Sequence, residues 1–177
     1  MKYSIIIPCY NEEDNIEKLI NLLSSKSNLY DIEWIIVENG SKDNTRTLLN
    51  NICKDKKNFK LVYIDENQGY GYGIVQGLKN VSGDYVGWLH ADMQVSPDSM
   101  LEFIKLNELS KETKKFYKGS RKNRKFIDNF FTFFMSVFST LLFQTFLSDI
   151  GAIPVLFHRD LMNKLGKIPH DFSIETY

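Results

Sequence analysis

Histidine, aspartate and glutamine recur two residues apart in His90-Ala91-Asp92-Met93-Gln94, directly after the apolar run Tyr85-Val86-Gly87-Trp88-Leu89. An imidazole, a carboxylate and an amide oxygen can all accept hydrogen bonds or ligate a metal. In extended backbone, residues two apart point to the same side. The spacing therefore predicts that the three groups converge at the carboxyl end of a buried strand, where open α/β sheets bind ligands. Asp92 is the carboxylate expected to anchor a divalent cation. The blander reading is a strand followed by a polar turn, with Pro97 closing the segment.

Such a site needs elements to hold it. Tyr3 to Ile7 is a β-rich run stopped by Pro8, and Asn11 to Ser25 carries apolar residues at helical spacing (Ile16, Leu19, Ile20, Leu22, Leu23). Ile32 to Val37 is a second buried strand, followed by the turn Glu38-Asn39-Gly40-Ser41 and a helix running to about Lys54. Lys60 to Ile64 is a third strand, and a helix beginning in a glycine-rich loop ends near Asn80. The strand before His90 is the fourth, and Pro97 to Leu109 is another helix. Strands alternating with helices at this pitch predict a parallel, right-handed α/β sheet. Gly151 to Phe157 reads as an edge or bent strand because Pro154 interrupts it, and His158 to Leu165 as a short helix.

In a parallel sheet the loops that follow strands share one edge. Pro8-Cys9-Tyr10-Asn11-Glu12, Glu38 to Ser41, Asp65 to Gly73 and His90 to Gln94 would surround one crevice. It would offer an aromatic ring, acidic and amide groups for a base or ribose, and glycines for close approach. Gly69-Tyr70-Gly71-Tyr72-Gly73 is not a dinucleotide fingerprint: it follows the third strand and its glycines are two apart. A glycine-rich helix start can still receive a phosphate or a sugar hydroxyl.

Bulk composition selects little. The 177 residues suit one domain with one core, and Lys plus Arg equals Asp plus Glu at 22 each, so no global field favours nucleic acid. Cys9 and Cys53 form no metal-ligand spacing and suggest a reducing compartment. The short apolar start lacks a cleavage pattern, so a cytoplasmic location is expected. Between Lys111 and Lys125 stand eight basic residues and one acid, and Phe126 to Leu147 is heavily apolar with a narrow uncharged stripe. Packing on the sheet or in a membrane interface suits that stripe better than spanning. A peripheral contact at the cytoplasmic membrane face is therefore an expectation.

Taken together, Ser4 to Glu12, Val37 to Thr45, Asn67 to Gly69 with Gly83 to Tyr85, His90 to Gln94, and Gly119-Ser120-Arg121-Lys122 resemble, in order, the motifs of the family 2 glycosyltransferases. The likeness is to the branch that includes dolichyl- and polyprenyl-phosphate sugar transferases, with His-Ala-Asp-Met-Gln standing at the Asp-x-Asp motif. The resemblance implies a GT-A fold: a Rossmann-like three-layer α/β sandwich, mainly parallel, with helices on both faces. Residues 1–177 would be one such domain, cut short near its C-terminal end. It implies an inverting, metal-assisted transfer of a sugar from a UDP- or GDP-type donor to a polyprenyl phosphate (lipid phosphate) or a saccharide acceptor. Pro8, Tyr10, Glu12, Glu38, Asn39, Asn67, Gly69, Gly73 and Ala91 would seat the nucleotide sugar. Asp92 would hold Mg²⁺ or Mn²⁺, with Gln94 and His90 near it, and Arg121 would face diphosphate or acceptor charge. A saccharide acceptor would need a carboxylate base, for which Asp171 is the candidate.

Two further readings stand beside this one. Relatives with His at the motif carry Asn, Gln and Lys where this chain has Gly151, Ile153 and Val155, which permits a module that binds nucleotide sugar with impaired catalysis. A nucleotidyltransferase would need a glycine- and arginine-rich loop after the first strand, and Pro8-Cys9-Tyr10-Asn11 is not one. His158 and His170 read as exposed structural residues.

Overall fold

A computed structural model describes residues 2–27, 29–110, 115–120, 136–137, 140–141, 144, 151–164, 168–171 and 174. The basic run and the apolar stretch after it, Arg121 included, lie almost wholly outside the described residues. So does Glu175.

The strands are β1 (Tyr3–Cys9), β2 (Ile32–Asn39), β3 (Phe59–Ile64), β4 (Tyr85–Trp88), β5 (Phe116–Lys118) and β6 (Val155–His158). Between them run α1 (Ile16–Lys26), α2 (Thr45–Cys53), α3 (Tyr70–Leu78) and α4 (Asp98–Leu109), and a 3₁₀ turn spans Arg159–Lys164. They build one six-stranded sheet in the order β3-β2-β1-β4-β6-β5. β1 pairs in parallel with β2 and β4, and β2 with β3. β6 runs antiparallel to both β4 and β5, so the sheet is mixed. That matches the expected mainly parallel sheet and corrects the edge alternative for the strand at 151–157, since β6 lies inside the sheet between β4 and β5. Pro154 lies just before β6, where a missing N–H does not interrupt the ladder, so the strand can be internal.

All seven residues of β1 are buried because both faces of the sheet are covered. Tyr3, Ile5 and Ile7 pack with Ile16, Leu19 and Leu23 of α1, Leu49 of α2 and Met100 and Ile104 of α4. Ile6 faces the other way, toward Ile74 and Leu78 of α3 and Val86, Trp88 and Phe157. Each such aliphatic side chain contributes roughly 1.5–3 kcal/mol on burial. The result is a three-layer α/β fold with α1, α2 and α4 on one face and α3 on the other.

α3 has three internal glycines, poor helix formers in isolation. Here they permit contact too close for a side chain. A Cβ on Gly77 would stand 2.4 Å from Ile6 Cγ2, and one on Gly71 would stand 2.3 Å from the carbonyl oxygen of Asp171. Among the described residues no helix is long and apolar enough to cross a membrane.

Candidate functional site

The carboxyl ends of β1, β2 and β4 and the start of α3 enclose a cleft of about 320 Å³. From the first loop come Pro8, Cys9, Tyr10 and Glu12; from the second, Asn39; from the third, Asn67, Gly69 and Tyr70; from the fourth, His90, Ala91 and Asp92. Nine of the positions expected from sequence thus share one cavity. Glu38, Gly73 and Gln94 are not in its lining.

The first two loops are zipped together. Asn11, at φ 54°, donates its N–H to Ser41 Oγ at 3.1 Å, and its side-chain oxygen accepts from the Lys42 N–H at 2.8 Å. The Glu12 N–H donates to Thr45 Oγ1 (2.8 Å), and Glu13 exchanges hydrogen bonds with Asp43 and the Asn44 N–H. Tyr10 stands beside this zipper and is 40% exposed, an aromatic face open to a ligand. Glu12 Oε2 accepts from Asn15 Nδ2.

Asn39 is held from two sides. Its Nδ2 donates to the Gly69 carbonyl at 3.0 Å, and its own carbonyl accepts from Asn67 Nδ2 at 3.0 Å. Asn67 Oδ1 in turn accepts from the Gly69 N–H. Because Gly69 O can only accept, the orientation of the Asn39 amide is fixed. Its Oδ1 is left buried with no partner. A buried acceptor left unpaired costs about 1–3 kcal/mol, and such a group calls for a partner that the protein itself does not supply.

Glu38 has a different task from the one expected. It is fully buried, with Oε1 accepting from the Ser41 N–H and Oε2 from Arg46 Nε, both at 2.6 Å. Arg46 also donates to the Ile64 carbonyl and lies over the Tyr63 ring. The carboxylate ties β2 to α2 and, through Arg46, to β3, and it is not part of the cleft lining. Gly73 sits behind the cleft, where a Cβ would meet Pro8 Cβ at 3.1 Å and Asn39 Nδ2 at 3.2 Å.

Past β4 the chain bends and does not stay extended. Met93 takes φ 60°, and Asp92 Oδ1 accepts the Gln94 N–H at 3.0 Å. That turn breaks the two-residue alternation, so Gln94 is not carried into the cleft beside His90 and Asp92. His90 Nδ1 lies 3.9 Å from Asp92 Oδ2, beyond hydrogen-bonding range. Its ring meets Tyr70 edge-on at 4.8 Å, and its Nε2 is buried without a partner. Among the described residues no group of three or more His, Cys, Asp or Glu could hold a metal alone. One carboxylate and one imidazole fit a cation that takes its other ligands from phosphate oxygens and water, and imidazole suits Mn²⁺ better than Mg²⁺.

Cys9 and Tyr70 lie in loops expected around the crevice, but sequence reasoning did not single them out as site residues. The Tyr70 signal was present in its place between two loop glycines. Cys9 is a last strand residue, and burial pushes its thiol well up, which keeps it unreactive.

The family model for glycosyl transferase family 2 matches residues 4–146. The chain is 40% identical over 97 residues to the poly-beta-1,6-N-acetyl-D-glucosamine synthase of Staphylococcus aureus, covering 54% of this chain and 23% of that protein. It is 33% identical over 104 residues to the undecaprenyl-phosphate 4-deoxy-4-formamido-L-arabinose transferase of Pseudomonas fluorescens, covering 57% and 30%. The chain thus spans less than a third of the length of these relatives. In structure it is similar to glucosyl-3-phosphoglycerate synthase from Mycobacterium tuberculosis in complex with UDP (TM-score 0.74, 19% identity, 98% of this chain and 62% of that one). It is also similar to a mannosyltransferase from Pyrobaculum calidifontis in complex with GDP-Man and Mn²⁺ (TM-score 0.66, 18% identity, 96% and 48%). With the motifs in order, the three-layer sheet, and a family match over more than half its length, the chain belongs to glycosyl transferase family 2 and has the GT-A fold.

Proposed function

We propose that this domain binds a nucleoside-diphosphate sugar in the cleft and transfers the sugar, with inversion, to a polyprenyl phosphate or a saccharide. The observation that carries this reading is that Asn39, which lines the same cavity as Asp92 and His90, keeps a buried Oδ1 without a protein partner. A fixed acceptor matches a base that presents an imino N–H, as uracil and guanine do. Cytosine and adenine present a lone pair at that edge. Tyr10 would stack on the base, and Pro8, Glu12, Asn67, Gly69 and Ala91 would close around the ribose and diphosphate.

In the transfer, the bond from the anomeric carbon to the diphosphate oxygen breaks and a bond to the acceptor oxygen forms on the opposite face. The leaving diphosphate takes the electron pair. A divalent cation, when bound by Asp92 and His90, supplies positive charge against that leaving group. Mn²⁺ is preferred to Mg²⁺ by the donor set, and the P. calidifontis mannosyltransferase carries Mn²⁺. Arg121 would add a second positive charge, and Gln94 would support the turn through its backbone. A phosphate acceptor is already an anion and needs no base. A saccharide hydroxyl would pass its proton to a carboxylate, with Asp171 as the candidate. Lipid phosphate is the favoured acceptor: the P. fluorescens relative is named for undecaprenyl phosphate, and the basic run precedes an apolar stretch. That acceptor implies work at the cytoplasmic membrane face.

The reading with impaired catalysis is supported by Val155, which is buried in the core at a position where the family resemblance implies a lysine. Calorimetric titration of UDP, GDP, CDP and ADP with Mn²⁺, beside donor hydrolysis and transfer assays, decides between them. The expected result is binding of UDP or GDP, measurably weaker binding of CDP and ADP, and turnover that Asp92→Asn removes together with the Mn²⁺ dependence of binding. Binding without turnover establishes the second reading. Full turnover in Asp92→Asn removes the metal assignment.

A further inference from the structure

The first N–H groups of a helix have no intrahelical partner and are a natural seat for a phosphate. At α3 one of them is taken. The Tyr72 N–H donates to the carbonyl of His170 at 2.7 Å, from a segment nearly a hundred residues later in the chain. The fit there is backbone against backbone. A Cβ on Gly71 would lie 2.3 Å from Asp171 O and 2.6 Å from His170 C, and one on Gly69 would lie 3.3 Å from His170 O. The His170 ring meets Tyr72 edge-on at 5.3 Å. Further along, Ile174 is buried in the cluster that holds Ile74, Leu78 and Trp88.

We infer that residues 168–171, anchored by Ile174, are a positioning element for nucleotide recognition, acting through Gly69 on Asn39. The chain of contacts is short. The segment rests on Gly71 and Tyr72; the adjoining Gly69 carbonyl receives the Asn39 amide nitrogen and so fixes Oδ1 as the end of the amide left without a protein partner. Tyr70, between them, holds the His90 ring. Displacing the segment moves Gly69 and releases the Asn39 amide, which can then present either end to a base. Discrimination between an imino N–H edge and a lone-pair edge is lost before overall binding is. The same contact explains the glycine spacing: Gly71 admits the crossing backbone, and His170 O takes the N–H that a phosphate would otherwise use.

This inference rests on the proposed nucleotide cleft, and the test separates the two. UDP and CDP affinities with Mn²⁺ are measured by calorimetry in the wild type, Gly71→Ala, Ile174→Ala and Ile174→Val, with melting temperature and hydrogen exchange at the Tyr72 amide. The wild type should prefer UDP. In Gly71→Ala and Ile174→Ala the Tyr72 amide should exchange at least about tenfold faster and the UDP-to-CDP ratio should fall about tenfold, whereas Ile174→Val should retain both. Loss of stability alone does not alter a ratio of two ligands. If Gly71→Ala does not fold, the Ile174 pair decides. A wild type that binds no nucleotide removes the cleft reading and this inference with it. A wild type that prefers UDP, alongside variants that keep the preference while Tyr72 exchanges freely, overturns this inference alone. Unchanged Tyr72 exchange in both destabilising variants overturns it too, because the segment would then not depend on these contacts.

Discussion

Tyr10 and Asn39 meet a ligand in physically different ways, and their variants should separate. Stacking on an aromatic face is tolerant of base identity and is worth about 1–3 kcal/mol per base. Tyr10→Ala is therefore expected to weaken UDP and GDP by similar factors. Asn39→Leu removes the fixed acceptor and its tie to Gly69, so it should narrow the gap between UDP and CDP while leaving the stacking term. Titration of both nucleotides against both variants checks this; equal narrowing by the two substitutions would refute the division of labour. At this scale much of the cleft was readable in advance, because loops after parallel strands must share an edge. What could not be read was orientation. Glu38 and Asn39 are adjacent in a strand and so point to opposite sides, and only the position of Arg46, the second residue of α2, shows that Glu38 is tied up elsewhere while Asn39 lines the cleft.

At the scale of elements, the Glu38–Arg46 pair joins β2 to α2 and β3, and the carboxylate is fully buried while the guanidinium is 40% exposed. Removing one partner of such a pair leaves a buried charge, which costs about 3–5 kcal/mol when both are buried. Arg46→Leu should sit near the low end, about 3 kcal/mol, read as a shift in urea midpoint. A change below about 0.5 kcal/mol, the usual range for surface sites, would mean that Ser41 alone satisfies Glu38. Helices and strands up to Leu109 followed from hydrophobic period, since each local pattern agreed with its final neighbours. β6 was misplaced because its partners, β4 and β5, lie far away in sequence and Pro154 looks like an edge signal. The role of Gly71 was equally hidden: a close backbone approach leaves a glycine in the sequence but not the identity of what approaches.

Across the whole molecule, the polar network at the amino ends of the strands stands apart from the cleft at their carboxyl ends. There Glu33 accepts from Ser4 Oγ, from the Ser82 N–H and hydroxyl, and pairs with Lys2. Burial pushes the Glu33 carboxyl up, but the hydrogen bonds from Ser4 and Ser82 and the Lys2 charge outweigh it and hold it below the usual range. A folded-state value below the unfolded one means stability that is present above the unfolded pKa and lost as pH falls through the folded one. Glu33→Gln should therefore lower the urea midpoint at pH 7, and the gap from wild type should close on acidification below about pH 4. Nucleotide affinity at pH 7 should change by less than about twofold, since the network touches no cleft residue. A gap that persists unchanged into acid would rule the linkage out. The molecule's thiols offer a final handle. Both cysteines are buried, Cys53 between helix and sheet and Cys9 in the floor of the cleft. An aromatic disulfide reagent should thus find almost no reactive sulfur in the native protein and two in urea, giving a colorimetric clock for opening. With Cys53→Ala as background, that clock reports on one sulfur alone, and added UDP should slow it, turning an inert side chain into an occupancy gauge.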